Sequence, residues 1–220
     1  MYARMPDVAG TGWIAVMPIK RLELAKTRLR GAIPGIEHDR LVLAMVRDTL
    51  TAVRSCPVVR RALVVTDEPA MVAAAADLGA ERVPDQPDAG LNAAFARGAA
   101  TAAGSPVVAL TGDLPALRPH ELAAALTALG RHPRGYVPDA TGTGTSMLAA
   151  AAGVDLDPRF GPGSAAAHEA SGAVRLDGDW PSLRQDVDTV ADLAAATALG
   201  LGRYTAELVA VAQYGGGRPR

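Results

Sequence analysis

Three aspartates in the sequence are of a type and spacing that could bind a divalent cation. Asp186 and Asp188 stand one residue apart in the segment LRQDVDTVADLAAA, just before an Ala-rich helical pattern. In an extended backbone such residues project to the same side, where their like charges repel unless a cation lies between them. Carboxylate oxygens are ligands that Mg²⁺ prefers. On this stretch alone, a simpler interpretation is that Asp188 or Thr189 caps the next helix.

Asp113 is the residue that could complete such a metal site. It follows the apolar segment VVALTG, which is typical of a buried strand, so it would emerge where that strand ends. The alternative is that Asp113 only caps a turn at Leu114 and Pro115. Considered together, Asp113, Asp186 and Asp188 offer three carboxylates to one Mg²⁺, and we favour this hypothesis.

A basic segment follows the first apolar stretch of the chain. Directly after Pro18, the segment PIKRLELAKTRL contains Lys20, Arg21, Lys26 and Arg28. Lys and Arg side chains pair with phosphate oxygens, so the segment favours binding of a polyphosphate. The alternative is a solvated basic face of a helix.

Two glycine-rich segments, TGTGTS and RFGPGSAAAHEA, lie between the carboxylates in sequence. Gly161 and Gly163 would let backbone amides approach a ligand closely. Ser164 starts a helical pattern, and the N-terminus of a helix suits a phosphate. An ordinary loop followed by a helix cap is the alternative.

The segment PDQPDAGLNAAF predicts a stiff loop before a helix, because it contains Pro84, Pro87 and Gly90. Asn92 offers both a donor and an acceptor, which suits the edge of a nucleotide base. A plain turn with a solvated Asn fits the sequence equally well. The histidines show no ligand-like spacing and are interpreted as structural or surface residues: His38, His120, His132 and His168.

Composition is typical of one compact domain. The chain has 220 residues, a formal net charge of −1 and 49 % hydrophobic residues. This charge balance argues against bulk binding to nucleic acid or to anionic membranes. Cys56 is the only cysteine, which excludes an internal disulfide and a Cys-rich metal site. Without a signal-peptide pattern or a membrane-spanning apolar run, we expect a cytoplasmic protein.

Strand-like and helix-like segments alternate along the chain, starting with the apolar run WIAVMPI. The alternation predicts an α/β fold with a mostly parallel sheet covered by helices on both faces. We expect one domain over residues 13–213, between disordered tails at 1–12 and 214–220. Asp39 is a possible N-cap of the first long helix, and the second helix should end near Gly79. After residue 135, the segment GYVPDATGTGTSMLAAA predicts an insertion or an antiparallel edge of the sheet.

Ligands of such folds bind at the carboxyl ends of the strands. Three polar clusters fall at such ends, namely MPIKRLELAKTRL, TGDLPAL and QDVDT. No G-x-G-x-x-G motif follows the first strand, which argues against a Rossmann dehydrogenase, and no P-loop is present.

Six motifs, in their order along the chain, closely resemble the guanylyltransferases of deazaflavin coenzyme (F-420) biosynthesis, the CofC/FbiD family: VMPIKRLELAKTRL, DAGLNAAF, TGDLPAL, DATGTGTSML, FGPGSAAAH and LRQDVDT. The resemblance extends from Trp13 to Leu199. It implies a Rossmann-like nucleotidyltransferase fold and the condensation of GTP with a phosphorylated three-carbon acid, releasing pyrophosphate. Molybdopterin and sugar nucleotidyltransferases carry a Gly-rich loop after the first strand, and this chain has PIKRLELAKTRL there instead.

The resemblance also implies roles for particular residues. Mg²⁺ would bind to Asp113, Asp186 and Asp188, and the phosphorylated acid to Thr145, Gly161 and Ser164. In the Thr-rich stretch, Thr143 or Ser146 could take this role instead of Thr145. We assign phosphate contacts to Lys20, Lys26 and Arg28, and recognition of guanine to the loop containing Asp85, Gly90 and Asn92.

The resemblance is compatible with three acceptor acids. The family uses phosphoenolpyruvate, 2-phospho-L-lactate or 3-phosphoglycerate, and we favour phosphoenolpyruvate because the chain most resembles the actinobacterial branch. A downstream enzyme would then transfer the labile product to a deazaflavin. The open alternatives are a molybdenum-cofactor or sugar-phosphate nucleotidyltransferase and a GTP-binding module without turnover.

Overall fold

The computed structural model describes residues 12–19, 27–31, 33–102 and 104–215. These residues form one seven-stranded sheet with the strands β1 Trp13–Pro18, β2 Val59–Val65, β3 Glu81–Val83, β4 Val107–Leu110, β5 Arg134–Pro138, β6 Thr145–Ala150 and β7 Val174–Arg175. Their order across the sheet is β3-β2-β1-β4-β6-β5-β7. Every neighbouring pair is parallel except the two that contain β6. The predicted mostly parallel sheet is confirmed.

Helices cover both faces of this sheet. They are α1 His38–Arg54, α2 Pro69–Asp77, α3 Leu91–Thr101, α4 Pro119–Ala128, α5 Ser164–Ala170, α6 Pro181–Arg184, α7 Val190–Leu199 and α8 Arg203–Gly215, preceded by a short 3-10 turn over Thr27–Leu29. Helix α8 continues two residues past the expected domain end at 213. Within the described part of the chain, no helix has the length and apolar character needed to cross a membrane.

The apolar run of β1 is explained by its central position, where both faces of the strand are covered. Ala15 and Met17 face the larger hydrophobic cluster, to which α1, α2, α4, α6 and α7 contribute. Ile14 and Val16 face the smaller cluster, which includes residues of α3 and α5. Helix α3 lies very close to the sheet, because a Cβ added at Gly98 would come within 2.3 Å of Val16 Cγ1.

The antiparallel part of the sheet is internal, so the predicted antiparallel edge is wrong. Strand β6 lies between β4 and β5, with Leu110 opposite Met147 on one side. Each residue from Met147 to Ala150 has no exposed surface, which a strand covered on both sides and both faces explains. Because β6 runs against its neighbours, its first residue, Thr145, lies at the edge where the parallel strands end.

The ends of two helices differ in how well the sequence predicted them. Asp39 is not an N-cap, because α1 already begins at His38 and its capping residue is Glu37, without a side-chain cap hydrogen bond. Asp39 lies in the first turn, where a carboxylate interacts favourably with the helix dipole. The predicted end of α2 is confirmed: Gly79 follows it with φ of +68° and donates its N–H to Ala76 O.

Candidate active site

Three carboxylates converge at the edge of the sheet where the parallel strands end. Asp113 follows β4, while Asp186 and Asp188 lie in the segment between α6 and α7. One oxygen of each side chain lies within 4.8 Å of the others. The structure thus brings together the three predicted aspartates. The segment 185–189, which carries Asp186 and Asp188, is not part of a strand. Their role as metal ligands stays a prediction.

Asp113 is held from two sides by backbone hydrogen bonds. Val187 N–H donates to Asp113 O at 3.1 Å, which joins the two segments that carry the carboxylates. Leu114 N–H donates to Thr49 Oγ1 of α1 at 3.0 Å, and the same hydroxyl lies 3.3 Å from Gly112 O. Thr49 is fully buried. The backbone around Asp113 is therefore fixed by the first helix and by the Asp186–Asp188 segment.

The helix cap that competed with the metal hypothesis is present, but Thr189 provides it. Asp192 N–H donates to Thr189 Oγ1 at 3.2 Å, and Thr189 N–H donates to the Asp192 carboxylate at 2.8 Å. This capping box starts α7. The Asp188 side chain is therefore not the cap and belongs to the carboxylate cluster instead.

A buried glutamate that the sequence analysis missed holds the short helix before the carboxylates. Glu121 Oε2 accepts the N–H groups of Ser182 and Leu183, at 2.9 and 3.2 Å, at the start of α6. Arg118 N–H donates to Ser182 Oγ at 2.9 Å. Helix α4 thus positions α6, which leads directly into Asp186. A glutamate in the first turn of a predicted helix carries no signal for such a partner 61 residues away.

A cavity of about 500 Å³ adjoins the carboxylates. Its wall includes residues from each of the three predicted sets, for metal, phosphate and acceptor binding: Arg28, Thr145, Gly161, Ser164, Asp186 and Asp188. A second cavity of about 270 Å³ is lined by Asp113 and Asp188 together with apolar residues of α1 and α3. Asp188 therefore lines both cavities.

A bulge in β6 directs Thr145 toward α5. Val137 pairs with Met147, and the next residue, Pro138, pairs with Thr145, so Ser146 is an extra residue in β6. Bulges of this kind change which way a side chain points. Thr145 and Thr143 both line the larger cavity, whereas the Ser146 hydroxyl donates to Val137 O at 3.4 Å. Of the three candidates for contact with the acceptor, the two threonines therefore fit better than Ser146.

His168 of α5 is the second site residue that the sequence analysis missed. It is fully buried, and its Nδ1 lies 3.0 Å from Thr145 Oγ1. Arg159 N–H donates to its Nε2 at 2.9 Å. Burial lowers the pKa of His168 to about 4, and the positive charge of Arg134 acts in the same direction. Its burial agrees with the structural role that the sequence analysis allowed, but the sequence did not reveal its contact with Thr145. A lone histidine among alanines gives no pattern that would reveal it.

The glycine-rich segment before α5 offers fewer amides than expected. Ser164 N–H donates to Gly161 O at 3.1 Å, and Ala165 N–H donates to Thr143 O at 3.1 Å. Gly161 has φ of +139° and Gly163 has φ of +71°, so both positions favour glycine. The predicted contact of a phosphate with the Ser164 amide is disfavoured, because the tight turn already uses it. The amides of Gly161 and Gly163 are the ones this segment can offer.

Comparison with known proteins identifies the family. The family model described as "Guanylyl transferase CofC like" matches residues 13–209. The chain belongs to this family. It is 58 % identical over 208 residues to the phosphoenolpyruvate guanylyltransferase of Salinispora arenicola, covering 94 % of this chain and 97 % of that protein. It is 55 % identical over 207 residues to the protein of the same name from Geodermatophilus obscurus, covering 92 % and 96 %.

Solved structures agree on the fold. A protein from Desulfovibrio desulfuricans G20 assigned as a nucleotide-diphospho-sugar transferase has a TM-score of 0.66 at 17 % identity, covering 93 % of this chain and 98 % of that one. A CMP:2-keto-3-deoxy-manno-octonic acid synthetase in complex with CTP has a TM-score of 0.54, also at 17 % identity, covering 86 % and 98 %. The predicted single-domain nucleotidyltransferase fold and the predicted family are both confirmed, and the protein is a nucleotidyltransferase.

In this CofC-like chain, Asn92 of the loop predicted to recognise guanine is hydrogen-bonded to the backbone of Phe160. Asn92 Oδ1 accepts Phe160 N–H at 2.7 Å, and Asn92 Nδ2 donates to Phe160 O at 2.9 Å. The Phe160 ring also stacks on Phe95 of α3, with 4.2 Å between ring centroids. These contacts favour a structural role for Asn92, which holds the segment before α5 against α3. Base recognition by Asp85, Gly90 and Asn92 stays a prediction.

Of the four basic residues in the basic segment, only Arg28 is among the described residues. Lys20, Arg21 and Lys26 lie outside the described residues. Arg28 is described, is exposed, and lines the larger cavity from the 3-10 turn. Its neighbour Leu29 is buried and anchors that turn in the core. Arg28 is thus at the ligand edge of this CofC-like enzyme, where a cation would meet phosphate, and its phosphate contact stays a prediction.

Proposed function

We propose that the protein transfers the guanylyl group of GTP to phosphoenolpyruvate, giving enolpyruvoyl-2-diphospho-5′-guanosine and pyrophosphate in coenzyme F-420 biosynthesis. One observation carries this proposal. In a chain of the CofC-like family, Asp186 and Asp188 share the wall of one cavity with Thr145 and Gly161. The choice of acceptor is supported by relatives at 58 % and 55 % identity that are named for phosphoenolpyruvate.

The reaction brings two anions together, so their repulsion must be reduced. The three carboxylates fit a magnesium ion, because they are hard oxygen donors whose ligand atoms lie within 4.8 Å of one another. When bound there, Mg²⁺ would neutralise charge on the phosphates and help to orient them. Arg28, which lines the same cavity, would add positive charge, together with Lys20 and Lys26 of the basic segment.

Binding and orientation account for the remaining chemistry of the proposal. The phosphate of the acceptor is already ionised near neutral pH, so its oxygen can attack the α-phosphorus of GTP without a general base. His168 is not required as one, and its complete burial would keep it from exchanging protons with the substrates. The hydroxyl of Thr145 and the amides of Gly161 and Gly163 would hold the acceptor in line with the departing pyrophosphate.

The finer parts of the proposal follow from this reaction. GTP should be preferred to ATP, because a site built to pair with guanine leaves polar groups unpaired when adenine enters. The product is a labile diphosphate diester, so a partner enzyme that transfers its phosphoenolpyruvyl part to a deazaflavin, with release of GMP, should act next. We also propose a cytoplasmic location, where GTP and phosphoenolpyruvate are supplied.

The test is to incubate the protein with GTP, Mg²⁺ and one acid at a time, and to measure pyrophosphate. The labile product should be trapped with the downstream transferase and its deazaflavin acceptor. We expect phosphoenolpyruvate to give pyrophosphate and trapped product. If only 2-phospho-L-lactate or 3-phosphoglycerate does so, the assignment of phosphoenolpyruvate as the acceptor is wrong. If GTP binds but no acid releases pyrophosphate, the protein is a binding module rather than a transferase.

A further inference from the structure

The imidazole of His168 links two parts of the proposed acceptor site. Its Nδ1 lies 3.0 Å from the hydroxyl oxygen of Thr145, at the start of β6. Its Nε2 accepts the N–H of Arg159, in the segment that continues through Phe160 to Gly161. The ring also packs edge-on against Phe160, with 5.1 Å between centroids. A fully buried ring in this position must have a defined protonation state to satisfy both contacts.

The hydrogen bonds determine the tautomer of His168. A backbone N–H can only donate, so Nε2 must accept from Arg159 and therefore carries no proton. In the neutral ring the single proton is then on Nδ1. This proton is donated to Thr145 Oγ1 across the 3.0 Å contact. Thr145 thus accepts from His168 and cannot use its own hydroxyl proton for that bond.

The direction of the Thr145 hydroxyl follows from this assignment. Within the described part of the chain, Thr145 Oγ1 makes its hydrogen bond with His168. Thr145 also lines the larger cavity. We propose that His168 is a positioning residue that keeps the Thr145 hydroxyl as a hydrogen-bond donor toward an anionic oxygen of the acceptor acid. This inference rests on the proposed function, because it assumes that the acid binds beside Thr145.

The surroundings of His168 keep the ring neutral over the working range of pH. Its complete burial disfavours the charged form, and the guanidinium groups of Arg134 and Arg159 do the same. Asp157 and a backbone hydrogen bond with Ser164 act in the opposite direction, and Tyr136 packs nearby with 6.0 Å between ring centroids. A charged ring would have to donate from Nε2 as well, which would oppose the N–H of Arg159. Neutrality and the orientation of Thr145 are therefore coupled.

Substitutions can separate the two nitrogen positions of the ring. The amide of His168→Asn occupies the place of Nδ1 and can still donate to Thr145. The amide of His168→Gln occupies the place of Nε2, so it can accept from Arg159 but does not reach Thr145. We expect the KM for the acid to rise by about tenfold in His168→Gln, the scale of one lost hydrogen bond, and by a smaller factor in His168→Asn. The KM for GTP should not change in either variant.

A double-mutant cycle with Thr145→Val tests whether His168 acts through the hydroxyl. In the Thr145→Val background, His168→Gln should change the acid KM by less than about twofold, because the group it positions is gone. Equal effects in both backgrounds, or a parallel rise in the KM for GTP, would overturn the proposal and indicate a purely structural role.

A spectroscopic measurement keeps the inference testable if the variants fail to fold. In the wild-type protein, ¹⁵N-labelled histidine should show His168 with a proton on Nδ1 and none on Nε2, unchanged between about pH 5.5 and pH 8. A proton on Nε2, or titration in that range, would refute the assignment. Because this measurement needs no turnover, its failure is distinct from failure of the proposed reaction, which wild-type pyrophosphate release reports.

Discussion

The carboxylate side and the hydroxyl side of the larger cavity are held in position by different kinds of contact. Asp113 and Asp188 are placed mainly by hydrogen bonds between backbone segments that meet at the sheet edge, and neither side chain is fully buried. Thr145 is placed by a bulge and by a buried imidazole, which itself depends on Phe160. We therefore expect changes at Asp113 or Asp188 to affect activity alone. Changes at Thr145 or His168 should affect activity and stability together.

Replacing a carboxylate should have the largest effect on activity. We expect Asp188→Ala to lower turnover by on the order of 10²-fold or more, as for the loss of one preorganised electrostatic group. The melting temperature should stay level or rise, because removing one of three clustered carboxylates relieves their repulsion. Pyrophosphate release and thermal unfolding measure the two quantities.

The matched control for this experiment is Asp155→Ala, because Asp155 is exposed and distant in sequence from the cluster. It should leave both turnover and melting temperature unchanged. Near-normal turnover of a folded Asp188→Ala protein would refute the assignment of this residue to the metal site.

Mild acid should affect the hydroxyl side through stability. The pKa of His168 is lowered from 6.5 to about 4, so the unfolded chain takes up a proton at a higher pH than the folded protein does. Between these values the unfolded state binds more protons, and the free energy of unfolding must fall as the pH falls. The contribution of this one group is on the order of 3 kcal/mol, and it is lost progressively as the pH falls from 6.5 through about 4.

Denaturant unfolding at a series of pH values measures this loss. Other groups also titrate in acid, so the informative quantity is the difference in pH slope between the wild-type protein and His168→Gln, which lacks the imidazole. We expect the variant to have the shallower slope between pH 6.5 and about 4. Identical slopes would mean that His168 takes up its proton equally in both states, contrary to its burial.

The same contrast explains what the sequence could predict. Asp113 was predictable because it follows an apolar strand pattern, and parallel strands bring their carboxyl ends to one edge. Asp186 and Asp188 were predictable from their one-residue spacing just before a helical pattern. His168 and Thr145 were not predictable as partners, because a bulge in β6 decides which side Thr145 faces. The central position of β6 also depends on which strands pair, and short apolar segments do not encode their neighbours. Contacts between distant residues were thus the part that sequence patterns missed.

Removing the Asn92 side chain should have the smallest effect, and it decides between two roles for that residue. Asn92→Ala deletes two hydrogen bonds to the backbone of Phe160 and leaves those backbone groups without their partner. We expect the free energy of unfolding to fall by about 1–3 kcal/mol. We also expect a modest rise in the KM for the acid, because Phe160 directly precedes Gly161 in the wall of the cavity. The ratio of catalytic efficiency with GTP to that with ATP should stay the same, since both side-chain groups already serve Phe160. If that ratio collapses while stability is retained, Asn92 recognises the base and the structural interpretation is wrong.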